Sequence, residues 1–353
     1  MQRFESSAFQ ARISCPRTDV QLVRHGAVLT VNLSYQGAYG MGEKYDALNQ
    51  KGRVVVNQVE EKFCFQGEKT YCPTPFFWTD SGFGLYVDTC ETTTFHFDEN
   101  SVTIDLPESA SVVTFSGEPA QIVSAYMELF GKAVLPPEWA FGVWISANRW
   151  NCQKDAEQQI ENLKKHDFPA SILVLEAWSD EATFYIWNGA KYQPNPDGAA
   201  LQYDDFDFSG SPWPDPKDMV DALHKAGLHL VLWQIPVYKK QGPDEILNVQ
   251  NTLDREDAVR RGLCVHLADG TPYTIPDGHW FSGSMIPDYT NPETVRTWFD
   301  KRQYLLDMGV DGFKTDGGEF IYRPDVRFMD GPENPALLNK TRCEPIKSRY
   351  AQV

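Results

Sequence analysis

The sequence lacks any apolar run long enough to span a bilayer, and its start, MQRFESSAFQARIS, has no apolar signal core. Membrane insertion is therefore not expected, and a cytoplasmic location is. Clusters of Lys and Arg are also lacking: 32 basic residues face 49 acidic ones, for a formal net charge of −17. A chain so acidic repels phosphate backbones and anionic lipid surfaces, which argues against nucleic-acid and membrane partners. Its carboxylates are spread along the chain and read mostly as solvated surface. No CxxC pair occurs, and the cysteines (Cys15, Cys64, Cys72, Cys90, Cys152, Cys264, Cys343) are odd in number and scattered. That pattern fits neither a disulfide scaffold nor a zinc site, so the thiols read as reduced and mostly buried. The histidines (His25, His96, His166, His224, His229, His266, His279) show no metal-ligand spacing either.

What the chain has is length and aromatic rings. At 353 residues it exceeds the usual single-domain range, so two domains are expected. Trp, Tyr and Phe number 10, 15 and 21. Most such rings fill cores, but an exposed ring also stacks well on the apolar C–H face of a sugar.

Residues 1–135 read as β. Short segments rich in Val, Thr, Phe and Tyr (AVLTVNLSY, RVVVNQ, FGLYVDT, TTTFHF, SVTIDL, SVVTFSG) alternate with turn residues, as in a β-sandwich. Pro136 and Pro137 mark a boundary. From 136 to 353 the period changes. FGVWIS (141–146) reads as a buried strand, followed by the helical pattern KDAEQQIENLKKHD (154–167). SILVLEAW (171–178) is a strand, DPKDMVDALHKAG (215–227) a capped helix, LHLVLWQIP (228–236) a strand. NPETVRTWFDKRQYLLDMG (291–309) is a helix with Pro292 in its first turn, and VDGFKTD (310–316) a fourth strand.

Continuous apolar strands alternating with amphipathic helices imply parallel βα units. Each strand carries polar groups at its C-terminal end: Ser146, Glu176, Trp233 with Gln234, and Lys314 with Asp316. In a (β/α)8 barrel that end is where active sites form. A doubly wound sheet usually has a glycine-rich turn after its first strand, and ISANRWN has no glycine. The expectation is a (β/α)8 barrel represented by its first four βα units, the front part of a larger protein, because a half barrel leaves parallel edges unpaired.

The stretch VDGFKTDGGEF (310–320) concentrates the chemistry. Lys314 and Asp316 lie two apart and point to one side of the strand. An ammonium at that distance would keep the carboxylate ionised and able to act as a nucleophile. A lone Asp after a strand serves as often to cap a helix. Gly317 and Gly318 permit a tight turn and a close substrate, and Glu319 could bond donors near the first turn.

FKTDGGEF resembles the nucleophile motif of glycoside hydrolase family 31, the retaining α-glycosidases, many of which have Phe where this chain has Gly317. YGMGEKYDALNQKG (39–52), PTPFFWTDSGFGLYVDT (73–89), LPPEWAFGVWIS (135–146), PWPDPKDMVDALHKAGLHLVLWQIP and DYTNPETVRTWF are similar to further family segments, collinear from about residue 39 to 325. The resemblance implies that Asp316 forms a covalent glycosyl ester. It implies that Glu176, where the family has Asp, grips hydroxyls of the bound sugar, that Trp178 and Trp233 wall the pocket, and that Lys314 contacts a hydroxyl. Arg149 lies in the loop that varies with substrate, and Asp288 either orients a neighbour at the pocket rim or caps the helix after it. The acid/base of the family stands beyond the next strand; none of Asp325, Asp330, Glu333 and Glu344 ends such a strand, so that group is expected to be absent here. No metal and no cofactor are implied, since acetal hydrolysis needs only two carboxyls. The implied activity is retaining hydrolysis of α-glucosides or related α-hexosides or xylosides, offered as oligosaccharides or aryl or alkyl glycosides. Alternatives are an inactive carbohydrate-binding protein and an α-transglycosylase. Homo-oligomerisation stays open.

Overall fold

The structure, a computed structural model, describes residues 2–4, 12–13, 19–60, 66–70, 72–89, 91–130, 134–318, 320–323 and 325–329. The chain divides into two compact units, Met1–Val134 and Leu135–Val353.

The first unit contains β1 (Gln2–Phe4), β2 (Arg12–Ile13), β3 (Gln21–His25), β4 (Val28–Asn32), β5 (Ala38–Gly42), β6 (Val54–Asn57), β7 (Pro73–Thr79), β8 (Phe83–Asp88), β9 (Thr93–Phe97), β10 (Ser101–Asp105) and β11 (Ser111–Ser116). They form two antiparallel sheets, ordered β1-β11-β8-β7-β5 and β2-β3-β4-β10-β9-β6. Alternation explains their faces. In β4, Leu29 and Val31 point inward and pair in register with Ile104 and Val102 of β10. One hydrophobic cluster draws on both sheets, with Phe77 of β7 set edge-on to Phe97 of β9 at 5.3 Å.

One element departs from the all-β expectation: α1 (Pro119–Phe130). Ile122 and Tyr126 lie one turn apart, and the Tyr126 ring stacks on Phe76 at 4.0 Å. The spacing Ile122, Ala125, Tyr126 is a helical stripe among good helix formers, a signal legible in the sequence.

The second unit contains β12 (Val143–Ala147), α2 (Gln153–His166), β13 (Ala170–Leu175), α3 (Pro216–Lys225), β14 (His229–Gln234), α4 (Val249–Arg260), β15 (His266–Leu267), α5 (Pro292–Asp307), β16 (Gly312–Thr315) and β17 (Val326–Arg327). Strands β12-β13-β14-β16 form a parallel sheet in chain order. A helix completing the fourth βα unit would fall beyond Met329, outside the described residues. Leu173 and Leu175 of β13 and Leu230 and Leu232 of β14 pack with Ala156 and Ile160 of α2, Met219 and Leu223 of α3, and Leu305 of α5. Ile172, Val174 and Val231 take the opposite face, with Trp139 against them. Two-residue alternation thus sends one set of side chains to the helices and the other across the sheet.

Helix α3 begins where the sequence indicates. The Asp215 side chain accepts the Asp218 N–H at 3.0 Å, and Gly227, at φ +80°, takes the left-handed position past its end. At the N-terminal ends of β14 and β16 the Asp311 carboxylate is bonded to His229 Nδ1 at 2.7 Å and His224 Nε2 at 2.8 Å, and it accepts the Leu230 N–H at 2.8 Å. This staple pins the two strand starts in register.

Strand β12 corrects an expectation. It is not buried: Val143 and Trp144 are 41% and 47% exposed. Among the described residues β12 pairs on one side only, with β13, so its apolar side chains have half the neighbours of a central strand. The segment between β14 and α5, to which the sequence analysis assigns no element, contains the helix α4 with Asn248 as its cap. Among the described residues no helix is long and apolar enough to cross a membrane. Among the described residues the Cys264 side chain is buried and Cys72 and Cys152 are half-buried, while Cys15, Cys64, Cys90 and Cys343 lie outside them.

Two measurements test this packing. Phe77→Ala removes a fully buried ring from the first unit's core and should cost about 3–5 kcal/mol in urea unfolding; a loss below 1 kcal/mol would contradict the placement. Burial pushes the Cys264 thiol from 9.0 up to about 12. Its neutral form favours the folded state, so that contribution is complete below about pH 9 and is lost as pH rises through about 12. At pH 8 native Cys264 should resist iodoacetamide while half-buried Cys152 reacts, and urea should abolish the difference.

Candidate active site

The C-terminal ends of the parallel strands carry the polar groups that the sequence marks. In the β14–β16 register, Trp233 pairs with Lys314 and Gln234 with Thr315, and the next amide, Asp316 N–H, donates to Gln234 O at 2.9 Å. Asp316 is therefore held as a one-residue continuation of the ladder. Its carboxylate receives one donor on each oxygen: Trp233 Nε1–H to Oδ2 at 2.9 Å and Gly317 N–H to Oδ1 at 2.9 Å. Each oxygen keeps lone pairs free for a third party.

Gly317 and Gly318 have φ of +64° and +108°, where side chains are strained. A Cβ on Gly317 would also lie 2.6 Å from the Phe320 ring, which packs under the turn. Tyr273 secures the chain beyond: its hydroxyl donates to Phe320 O at 2.7 Å and accepts the Tyr322 N–H at 3.1 Å. Glu319 lies outside the described residues.

Lys314 is half-exposed on the same side of β16, but its ion pair is with Glu176, at 2.9 Å, rather than with Asp316. That corrects the expected pairing within VDGFKTD. Trp233 fills the place beside Asp316, and the longer Glu side chain of β13's end reaches the ammonium. Ser146, from β12, donates to the same Glu176 oxygen at 2.6 Å. Strands β12, β13 and β16 thus contribute a hydroxyl, a carboxylate and an ammonium to one polar patch, which spans β14 between the last two.

Trp178 also differs from expectation. It is fully buried, so it has no face to offer a ligand. Its Nε1–H donates to Trp233 O at 2.7 Å and its ring meets Trp187 edge-on at 4.9 Å. It therefore supports Trp233 from below. Asp288, 2% exposed, neither lies on a rim nor caps α5. It accepts from Thr290 N–H and Oγ1–H on one oxygen and from Met329 N–H on the other, while Asn291 caps the helix by accepting the Glu293 N–H. An Asp four residues before a helical proline shapes the approach turn, which sequence spacing does not separate from a cap. Arg149 is exposed on the turn after β12, without a hydrogen bond or ion pair to the described residues.

Other groups enter the site unannounced. Trp280, on the loop PDGHWFSG, is 51% exposed; its ring centroid lies 6.4 Å from those of Trp233 and Phe320. His279 beside it stacks on Tyr322 at 3.8 Å. An aromatic in a glycine-flanked loop was the available signal for Trp280. Phe184 meets Trp233 edge-on at 5.6 Å. It is presented by a turn in which Asp180 accepts the backbone N–H groups of Ala182, Thr183 and Phe184, while Asn248 Nδ2–H donates to its other oxygen at 2.7 Å. Burial raises the Asp180 carboxyl, and those hydrogen bonds oppose the rise. The Asn248 bond ties this local turn to chain 68 residues away, a partnership that no local pattern marks.

A carboxylate with two fixed donors, an adjoining Ser–Glu–Lys patch and a half-exposed indole suit a ligand that has both hydroxyls and an apolar face. Comparison with known proteins agrees with that chemistry. Residues 133–341 match the family description "Glycosyl hydrolases family 31 TIM-barrel domain", and residues 27–96 match "Glycosyl hydrolase 31 N-terminal galactose mutarotase-like domain". The chain is 36% identical over 322 residues to an isomaltosyltransferase of Sporosarcina globispora, covering 88% of this chain and 29% of that protein. It is 36% identical over 304 residues to a 1,3-alpha-isomaltosidase of Kribbella flavida, covering 83% and 41%. Among solved structures, the cycloalternan-forming enzyme of Listeria monocytogenes superposes with a TM-score of 0.83 at 35% identity, over 94% of this chain and 32% of that one. The cycloalternan-degrading enzyme of Trueperella pyogenes with isomaltose gives 0.84 at 30%, over 98% and 54%. The chain thus spans roughly a third to a half of the length of these relatives.

Proposed function

Because the chain belongs to glycosyl hydrolase family 31, we propose that it contributes the nucleophile and the sugar-binding end of an enzyme that cleaves α-glucosidic bonds with retention. The observation that supports this most is the Asp316 carboxylate at a strand's C-terminal end, aimed by Trp233 Nε1–H and Gly317 N–H. In the first step an Asp316 oxygen attacks the anomeric carbon, the glycosidic C–O bond breaks, and the leaving oxygen takes a proton from a second carboxyl. In the next, an acceptor hydroxyl attacks the same carbon, the ester bond breaks, and the acceptor's proton passes to that second carboxyl. The second carboxyl comes from chain outside the described residues in this reading, since Glu176 is engaged by Lys314 and Ser146.

The Ser146–Glu176–Lys314 patch holds hydroxyls of the sugar, and Trp280 stacks on its apolar face. Two relatives that act on isomaltosyl groups by name stand at 36% identity, against 26% for an alpha-xylosidase of Lactiplantibacillus pentosus. That favours an α-1,6-linked diglucosyl unit as the moiety cleaved. The same names divide between transfer and hydrolysis, so the acceptor is either a sugar hydroxyl or water.

Two experiments on the complete gene product test the reading. Incubation with 5-fluoro-α-glucosyl fluoride should add one glycosyl mass to the peptide holding Asp316, and Asp316→Asn should lower kcat by roughly 10³-fold or more. Turnover without label on that peptide would remove Asp316 from the nucleophile role. Glu176→Asp should shorten the reach to Lys314 and shift the ratio of kcat/KM for aryl α-glucoside over aryl α-xyloside by roughly 10-fold. An unchanged ratio would exclude Glu176 from sugar selection. Product analysis with isomaltosyl donors, with and without added acceptor sugar, separates transfer from hydrolysis.

A further inference from the structure

Asp316 is also tied to the outside of the sheet. Side chains on β14 and β16 alternate, so Trp233, Lys314 and Asp316 serve the site while Gln234 and Thr315 point the other way, toward the helices. There Gln234 meets Arg302 of α5 and links it to Thr315. Arg302 Nε–H donates to Gln234 Oε1 at 2.6 Å, and Gln234 Nε2–H donates to Thr315 Oγ1 at 3.2 Å. The Gln234 carbonyl on the same residue accepts the Asp316 N–H at 2.9 Å. Gln234 and Arg302 are 0% and 1% exposed.

Arg302 is itself immobilised. Its Nη1–H donates to Trp298 O at 2.9 Å, and its guanidinium lies 3.7 Å from the Trp298 ring centroid and 5.6 Å from that of Tyr185. A buried guanidinium is costly to desolvate, and an apolar residue would fill the same helix–sheet space with less penalty. Its retention here accompanies a directed bond to the one side chain that joins the last residue of β14 to the last residue of β16. Thr315 stands between Lys314 and Asp316, so a shift of its side chain moves both.

We propose that Arg302, Gln234 and Thr315 form a brace that positions Asp316 and Lys314 from behind the sheet, and that all three are positioning residues for the reaction. The brace acts on geometry alone. It holds the Asp316 carboxylate within the narrow range in which attack on the anomeric carbon is fast, and a displacement of about 1 Å from such a range costs on the order of 10²-fold in rate.

This rests on the nucleophile reading for Asp316, and the test separates the two. In the complete gene product, Gln234→Leu and Thr315→Val are compared with Gln234→Glu. A glutamate accepts from both Arg302 and the Thr315 hydroxyl, so it keeps the brace connected. Gln234→Leu and Thr315→Val should lower kcat and the rate of fluoroglycosyl labelling of Asp316 by about 10- to 100-fold with KM changed less than about 3-fold, and Gln234→Glu should restore most of the loss. Thr315→Val leaves the Arg302–Gln234 pair in place, so it reports even where Gln234→Leu does not fold. Labelling rates equal to the parent's in folded Thr315→Val, or a lower melting temperature with unchanged kcat, would overturn the brace while leaving the nucleophile assignment standing. A parent protein that turns over substrate without labelling Asp316 would overturn the reading beneath it.

Discussion

The register of β14 against β16 is the constraint on which the candidate site depends. Three groups on β14 become useful only through it: the Trp233 indole that donates to Asp316, the Gln234 carbonyl that accepts the Asp316 amide, and the Gln234 side chain that reaches Thr315. A slip of one residue would exchange the inner and outer faces of β16, removing Lys314 and Asp316 from the site together. The register is held from both ends. Asp311 gathers His224, His229 and the Leu230 amide at the strand starts, and the hydrogen bonds of Gln234 close the ends.

The site is organised as layers around that register. Asp316, Glu176, Lys314 and Ser146 face the ligand side, with Trp280 half-exposed beside them. Beneath Trp233 lies Trp178, fully buried and bonded to its carbonyl, and against it lies Phe184, presented by the Asp180 turn. Aromatic rings thereby locate a charged residue whose own strand contributes only four residues. Rigid support of this kind fits a mechanism whose rate depends on placing one oxygen opposite one carbon.

Much of this was legible in the sequence, for physical reasons that differ by element. The helices α2, α3 and α5 were readable because an amphipathic stripe and a cap are local properties, and Asp215 and Asn291 act where helix starts require an acceptor. Helix α1 carried the same kind of stripe within a segment dominated by strands. The exposure of β12 was not readable, because FGVWIS is as apolar as a central strand and only the pairing decides how much of it is covered. Trp178 and Trp233 look alike as strand-end tryptophans and both are buried; their indole hydrogen bonds separate one as support and the other as a partner of Asp316.

The sequence by itself determined which chemistry is present: a carboxylate and an ammonium two residues apart at a strand end, two glycines behind them, and a second carboxylate at the end of another strand. Those facts are covalent, and period-two alternation carries them directly into space. The tertiary structure alone decided the partnerships, because each joins distant segments. Lys314 pairs with Glu176, 138 residues away, Arg302 reaches Gln234 across 68, and Trp233 meets Asp316 across 83. Which donor lies nearest to Asp316 depends on how strands are ordered and registered, and no local pattern records that.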